Sequence, residues 1–179
     1  MKKIMLFPIL IAFACAVAGF YGALHNQISY TVSPSYFHDF KFDQFLIEPD
    51  LRNRLGASIV GWGASWWMGF LIGLPIYIMG LFVRGAGRFV KAFIKVASVV
   101  VVTTLFVGVT ALGVSFLTVT EEMLPGWMQY FSVYDPVAFA RAGTMHNFSY
   151  IGGIVGLFAG VAVMSREIFI SKKHSISSK

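Results

Sequence analysis

The chain has 179 residues, of which 57% are hydrophobic and only 12% charged, and its mean hydropathy is +0.74. Because a soluble domain carries roughly 25% charged residues, this composition excludes an ordinary soluble protein and predicts an integral membrane protein. The formal charge of +6 comes from basic residues concentrated in particular loops, which is typical of orientation signals and does not favour nucleic-acid binding. The lone Cys15 excludes an intramolecular disulfide and a multi-cysteine metal site.

Four apolar runs are each long enough to cross a hydrocarbon core, which takes about 20 residues. They cover residues 4–24, 55–83, 97–119 and 150–170. They predict an all-α membrane protein, a four-helix transmembrane bundle that forms one integral membrane domain over residues 1–179. The third run is rich in valine and threonine, but a backbone in lipid must satisfy its own hydrogen bonds, so a helix is favoured over a strand.

The first run also has features of a secretory signal peptide. Two lysines precede it, and Ala16-Val17-Ala18 has the small-x-small form of a cleavage site. The apolar character continues past this point to Leu24, which favours an uncleaved span. The sequence leaves cleavage open.

The first outer segment, residues 25–54, mixes aromatic side chains with histidines and carboxylates. Residues 28–32 alternate in polarity as a short strand would, whereas Ser33-Pro34 predicts an N-cap followed by a first-turn proline. Aromatic rings beside charges are typical of a membrane-water interface. The sequence therefore predicts a small, partly helical, aromatic-rich cap on the extracytoplasmic face.

The second outer segment, residues 120–149, again combines charged residues with aromatic ones, among them Trp127, Tyr130 and Phe131. Asp135-Pro136 predicts the start of a helix and Gly143 predicts its end. We therefore expect a short helix that lies along the membrane surface.

Small residues recur at four-residue spacing in two of the runs. They are Ala57, Gly61, Ser65, Gly69 and Gly73 in the second run and Gly152, Gly156 and Gly160 in the fourth. This spacing places them on one helical face, where another backbone can approach closely. We expect the second and fourth spans to pack together through Gly69, Gly73, Gly156 and Gly160.

The distribution of lysine and arginine predicts the orientation of the spans. Ten lie on the side of the two termini, namely Lys2, Lys3, Arg84, Arg88, Lys91, Lys95, Arg166, Lys172, Lys173 and Lys179. Four lie on the other side, namely Lys41, Arg52, Arg54 and Arg141. Because basic loops tend to stay in the cytoplasm, both termini are predicted to be cytoplasmic, with the protein in a bacterial inner membrane.

Three of the four histidines map to the predicted outer side. His25 ends the first span and His146 precedes the fourth, in the similar strings His-Asn-Gln-Ile-Ser-Tyr and His-Asn-Phe-Ser-Tyr, while Glu122 follows the third span. Imidazole with carboxylate is a usual ligand set for zinc, copper or iron. We therefore predict a site for a divalent or copper ion at these three residues, which His38 and Asp39 complete if the cap folds down.

The function predicted from these features is that of a membrane protein that binds a metal ion or small polar ligand between the helix ends and the cap. One alternative is a non-catalytic structural or assembly partner of other membrane proteins, or a homo-oligomer, that packs through its glycine faces. A further alternative is a small membrane enzyme that acts on a lipid or quinone headgroup. Apart from Arg166 and Glu167 near the end of the fourth run, no Asp, Glu, Lys, Arg or His lies inside the spans, which disfavours an ion or proton transporter.

Overall fold

The computed structural model of the chain describes residues 3–124, 126 and 133–177. These residues form helices and turns, with no strand among them. Four helices in this part of the chain are long and apolar enough to cross a membrane, which confirms that prediction. They are α1 (Phe7–Val32), α2 (Arg54–Gly80), α3 (Ala86–Thr118) and α4 (Pro136–Ser177). The predicted interfacial aromatics Trp127, Tyr130 and Phe131 lie outside the described residues.

The first helix is longer than the sequence predicted. A 3-10 turn, Lys3–Leu6, precedes α1, and α1 runs without interruption to Val32. The short strand predicted over residues 28–32 is therefore wrong. Its two polar side chains lie on different sides of the helix: Ser29 is fully buried, whereas Thr31 is exposed and donates a hydrogen bond to the carbonyl of Gln27 at 2.9 Å.

The fourth helix begins earlier than predicted. Asp135 accepts a hydrogen bond from the backbone N–H of Ala138 at 2.9 Å, as expected of a residue that caps a helix. The helix that starts at Pro136 continues through Gly143, which does not adopt a positive φ, into the predicted span. A separate surface helix is therefore wrong, because the chain makes no turn at this glycine.

The four helices are arranged as two closely packed hairpins. In the first hairpin α1 lies against α2, in the second α3 lies against α4, and the contacts between the hairpins are far fewer. Gly22 and Gly61 approach so closely that a Cβ on either would clash with the backbone of the other. In the second hairpin, a Cβ on Gly156 would meet the backbone of Val100 at 3.0 Å.

The predicted glycine contact between the second and fourth spans is wrong. Gly69 lies against Ala14 of α1, and Gly156 lies against Val100 of α3. Gly73 and Gly160 likewise face the partner helix of their own hairpin. Small residues at four-residue spacing indicate a helical face that another backbone can approach closely, but they do not identify the partner helix. Consecutive helices usually pack together, and here each glycine face contacts the neighbouring helix in the sequence.

An apolar cluster closes the end of the bundle that contains Lys3. Phe89 and Phe93 of α3 are almost fully buried there, against residues of α1 and α2. Lys3 donates hydrogen bonds from Nζ to the carbonyls of Leu81 and Val83, which follow the end of α2. These contacts join the start of α1 to the link between α2 and α3.

A second cluster, rich in aromatic rings, lies at the opposite end of the bundle, which we call the histidine end because it contains His25 and His146. Ser33 accepts a hydrogen bond from the N–H of Tyr36 at 3.2 Å, as predicted for an N-cap. A π-helical turn, Phe37–Lys41, follows. The buried side chains that pack together in this cluster are Tyr36, Phe37, Phe42, Ile47, Ala57, Val60 and Ala142.

We expect Gly61→Leu to lower the melting temperature of the purified protein in detergent. No side chain fits at Gly61 without moving α1 away from α2, and overpacking of this kind costs about 1–3 kcal/mol. Gly113→Leu is the matched control, because nothing lies within 4 Å of a Cβ added at Gly113. Equal melting temperatures for the two variants would contradict the close approach of these helices.

Candidate functional site

Two of the predicted site residues, His25 and His146, lie together between the two hairpins. Their ring centroids are 4.7 Å apart and their planes meet at 80°. His25 belongs to α1 and is only 4% exposed, and His146 belongs to α4 and is half-buried. The structure therefore brings two histidines that are distant in sequence into direct contact at the histidine end.

Each histidine is hydrogen-bonded to the serine that follows the other histidine in the sequence. Nε2 of His25 lies 2.8 Å from Oγ of Ser149, and Nε2 of His146 lies 3.2 Å from Oγ of Ser29. The two similar strings in the sequence thus meet as a reciprocal pair. These bonds provide a polar link between the first hairpin and the second.

Ser149 is the centre of this network. Its Oγ lies 2.9 Å from the carbonyl oxygen of Met145, 2.8 Å from Nε2 of His25 and 3.2 Å from the hydroxyl of Tyr21. Its hydroxyl hydrogen has two acceptors within reach, the carbonyl of Met145 and Nε2 of His25, and the hydroxyl of Tyr21 donates to its oxygen.

The hydroxyl of Ser29 lies between His146 and its own helix. Its Oγ is 3.2 Å from Nε2 of His146, and it is 3.4 and 3.5 Å from the carbonyl oxygens of His25 and Asn26. Ser29 therefore links His146 to the backbone of α1.

Asn26 links this network to α2. It is 2% exposed, and its Nδ2 donates to the carbonyl of Ala57 at 2.9 Å. Its Oδ1 consequently faces Nδ1 of His25, at 3.4 Å. Since buried polar groups are stable only with partners, this amide helps to fix the position of α1 at the level of the histidines.

Aromatic side chains of the segment that follows α1 form a covering layer against His146. The ring of Tyr36 lies 4.9 Å from that of His146, with the planes inclined by 30°, and the ring of Phe37 lies at 6.3 Å. Nζ of Lys41 is placed 5.6 Å from the centre of the Tyr36 ring. Burial raises the pKa of Tyr36 above its ordinary value and lowers the pKa of Lys41. The covering layer therefore holds the Tyr36 hydroxyl in its neutral form.

A cavity of about 120 Å³ extends from the histidines into the space between the hairpins. Its polar lining at the histidine end consists of Tyr21, His25, Asn26, His146 and Ser149. Small and apolar side chains from all four helices line the remainder, including Ala64, Gly69, Ile76, Phe93 and Val100. Along α1 the lining runs from Ala14 to Asn26, about 18 Å at a rise of 1.5 Å per residue. The cavity is therefore elongated, polar at one end and apolar along its length.

The other predicted site residues do not join the histidine pair. Helix α3 ends at Thr118, and an extended stretch carries the chain to the turn Glu121–Met123, where Glu122 is exposed. His38 is bonded through Nε2 to the hydroxyl of Tyr30 at 3.1 Å, and Asp39 is exposed. The prediction placed Glu122 beside the histidines because it follows the third span closely, but the exposed turn after α3 carries it on the surface.

Among the described residues, the structure brings two of the predicted metal ligands together, His25 and His146. Within the described residues, no group of three or more His, Cys, Asp or Glu is placed to hold a metal ion. A protein zinc site uses three or four side chains, so His25 and His146 alone fall short of one. The two serines that complete the pair offer neutral hydroxyls, which are poor ligands for copper or zinc.

Sequence reasoning missed the partners of the histidines, namely Ser29, Ser149, Asn26, Tyr21 and Tyr36. A signal for the serines was present in the two similar strings. Each serine follows its own histidine by three or four residues, a spacing that puts both side chains on one face of a helix.

Comparison with known protein families, with curated proteins and with solved structures finds no significant match.

We expect a double-mutant cycle to detect the bond between His25 and Ser149. The variants His25→Phe, Ser149→Ala and their combination should give a coupling of about 0.5–1.5 kcal/mol in the free energy of unfolding, the usual contribution of one hydrogen bond. His38→Phe paired with Ser149→Ala is the control, because His38 is bonded to Tyr30. A coupling as small for His25 as for His38 would show that the bond does not stabilise the fold.

Proposed function

We propose that this chain is an integral membrane protein that binds a small ligand of the membrane between its two hairpins. The polar head of the ligand lies against His25 and His146, and its apolar part lies in the cavity. One observation carries the proposal: an elongated apolar cavity ends at a buried cluster of hydrogen-bonding side chains. Ligand sites are typically concave and mostly apolar, with a few convergent polar groups that orient the ligand.

An organic headgroup suits this site better than a metal ion. Nε2 of each histidine is already bonded to a serine hydroxyl, and the described residues provide no carboxylate beside the pair. A cation between the rings would need both bonds to break and would gain too few ligands. A neutral headgroup can form hydrogen bonds at this site without breaking the two histidine-serine bonds and without additional ligands.

The glycine faces give little support to a purely structural role. Gly22, Gly61, Gly69 and Gly156 are each covered by the partner helix of their own hairpin. The surfaces through which an assembly partner was predicted to bind are therefore occupied within the chain. Helix packing within the hairpins does not account for the cavity or for the polar side chains at its end, whereas ligand binding does.

We place the histidine end on the extracytoplasmic side of a bacterial inner membrane, with the aromatic segment between α1 and α2 as its cap. The asymmetry of lysine and arginine supports this orientation. A reporter that is active only outside the cytoplasm should give a signal when fused near Asp43, and one that is active only inside should give a signal after Lys179. The reverse pattern would overturn the orientation but leave the ligand site unaffected.

We expect the protein, purified in a mild detergent, to retain a small organic molecule that solvent extraction and mass spectrometry detect. Gly153 lines the cavity, and a Cβ added there meets only Ile72, at 3.9 Å. Gly153→Leu should therefore fill the cavity without a backbone clash and remove most of the bound molecule.

Gly113→Leu, on the surface of α3, is the control for this experiment and should retain the molecule in full. Equal retention by the two variants would show that the molecule binds elsewhere. Elemental analysis of the same samples tests the metal hypothesis, since an equimolar transition metal that is lost in His25→Ala/His146→Ala would replace the organic ligand in this proposal.

A further inference from the structure

One exposed face of α3 is basic near the start of the helix, at the end of the bundle that contains Lys3. Arg88, Lys91 and Lys95 follow one another at spacings of three and four residues, which places them on one side of the helix. All three are exposed, whereas Phe89 and Phe93 are buried on the opposite side of the same turns. The packing of this apolar side against α1 and α2 therefore directs the basic side chains away from the bundle.

The protein neutralises only part of this basic face. Glu167 supplies the only Asp or Glu side chain at this end of the described structure, and it pairs with Lys95 at 2.7 Å. Within the described residues, Arg88 and Lys91 have no hydrogen-bond or ion-pair partner. Like charges three residues apart on a helix repel each other, so an anion that contacts both side chains would be stabilising.

The same face becomes apolar farther along α3. The three- and four-residue spacing continues through Ser98 to Val102, Phe106 and Val109, and all four side chains are exposed. The hydroxyl of Ser98 donates to the carbonyl of Ile94 at 3.1 Å and is therefore satisfied within the helix. One continuous face thus offers cations over its first turns and hydrocarbon over the turns that follow, which complements an anionic amphiphile.

The length of α3 places the basic turns at the membrane surface. The helix has 33 residues and is about 50 Å long at 1.5 Å per residue, whereas a hydrocarbon core is about 30 Å thick. The apolar run in this helix begins at residue 97, so the surplus length includes the turns of Arg88 and Lys91. These side chains therefore lie at the level of the lipid headgroups.

From these observations we infer that this face of α3 binds an anionic phospholipid. The phosphate lies against Arg88 and Lys91, and an acyl chain lies along Val102 and Phe106. A second copy of the chain is a poor occupant, because insertion in the same direction would bring its own cations to the same depth. This inference is independent of the proposed function, since none of these four residues lines the cavity.

The test is native mass spectrometry of the full-length protein in a neutral detergent with three probes. They are phosphatidylglycerol, phosphatidylcholine with the same acyl chains, and glycerol 3-phosphate, which has the anionic head without chains. We expect the first phosphatidylglycerol to bind at least fivefold more tightly than phosphatidylcholine, because each cation near an anionic lipid contributes about a factor of five. Glycerol 3-phosphate should not bind at the same concentration, because it lacks the apolar part.

Substitutions that differ in charge test the basic face directly. Arg88→Gln and Lys91→Gln should each lower the preference for phosphatidylglycerol about fivefold, whereas Arg88→Lys keeps the charge and should retain it. Lys172→Gln/Lys173→Gln is the matched control. It removes two exposed cations from α4 at the same end of the bundle, outside this face, and should leave the first phosphatidylglycerol bound as tightly as before. Melting temperatures of all variants should match that of the unsubstituted protein, because the replaced side chains are exposed.

Four results would overturn the inference. Equal affinity for the two phospholipids would show that charge does not select the lipid, and equal losses in the control and in Arg88→Gln would show that the attraction is not specific to this face. Tight binding of glycerol 3-phosphate would indicate a site for soluble anions. A dimer that excludes lipid from this face would show that a second copy of the chain is the occupant.

Discussion

The close approach of backbones within each hairpin is the constraint on which the other features depend. In lipid, where apolar side chains gain little from leaving their surroundings, small residues drive association by letting helices pack tightly. The close contacts formed by these small residues lie within the hairpins, at Gly22 against Gly61 and at Gly156 against Val100. The hairpins consequently meet each other mainly at the two ends of the bundle, through the apolar cluster around Phe89 and through the histidine-serine pairs. The cavity is the space between these two contacts.

The polar residues of the site follow from the same constraint. A polar group between apolar helices must find a partner inside the protein, and Ser29 and Ser149 provide partners across the gap between the hairpins. Because the serines bind one nitrogen of each ring, they also fix its orientation. One arrangement thus joins the hairpins and forms the polar end of the cavity.

The sequence was informative where the determinants are local. Long apolar runs predicted the four helices, and the caps at Ser33 and Asp135 were found where turn chemistry placed them. It was misleading where tertiary contacts decide: residues 28–32 alternate in polarity but are helical, with Ser29 buried against His146 of the other hairpin and Thr31 exposed. The convergence of the histidines depends on how the two hairpins pack against each other, and the spacing of residues along the sequence does not predict that packing. Glu122 lies apart because the chain leaves α3 in an extended stretch and enters an exposed turn, a change of direction that hydropathy does not describe.

The most direct test of the site is the nitrogen NMR spectrum of protein labelled at histidine, recorded in detergent for the unsubstituted protein and for Gly153→Leu. The His146→Asn and His38→Phe variants assign the resonances. We predict that filling the cavity at Gly153 shifts the ring nitrogens of His25 and His146, which line it, while the resonances of His38 remain unchanged. A shift at His38 with none at His25 or His146 would contradict the ligand site described above.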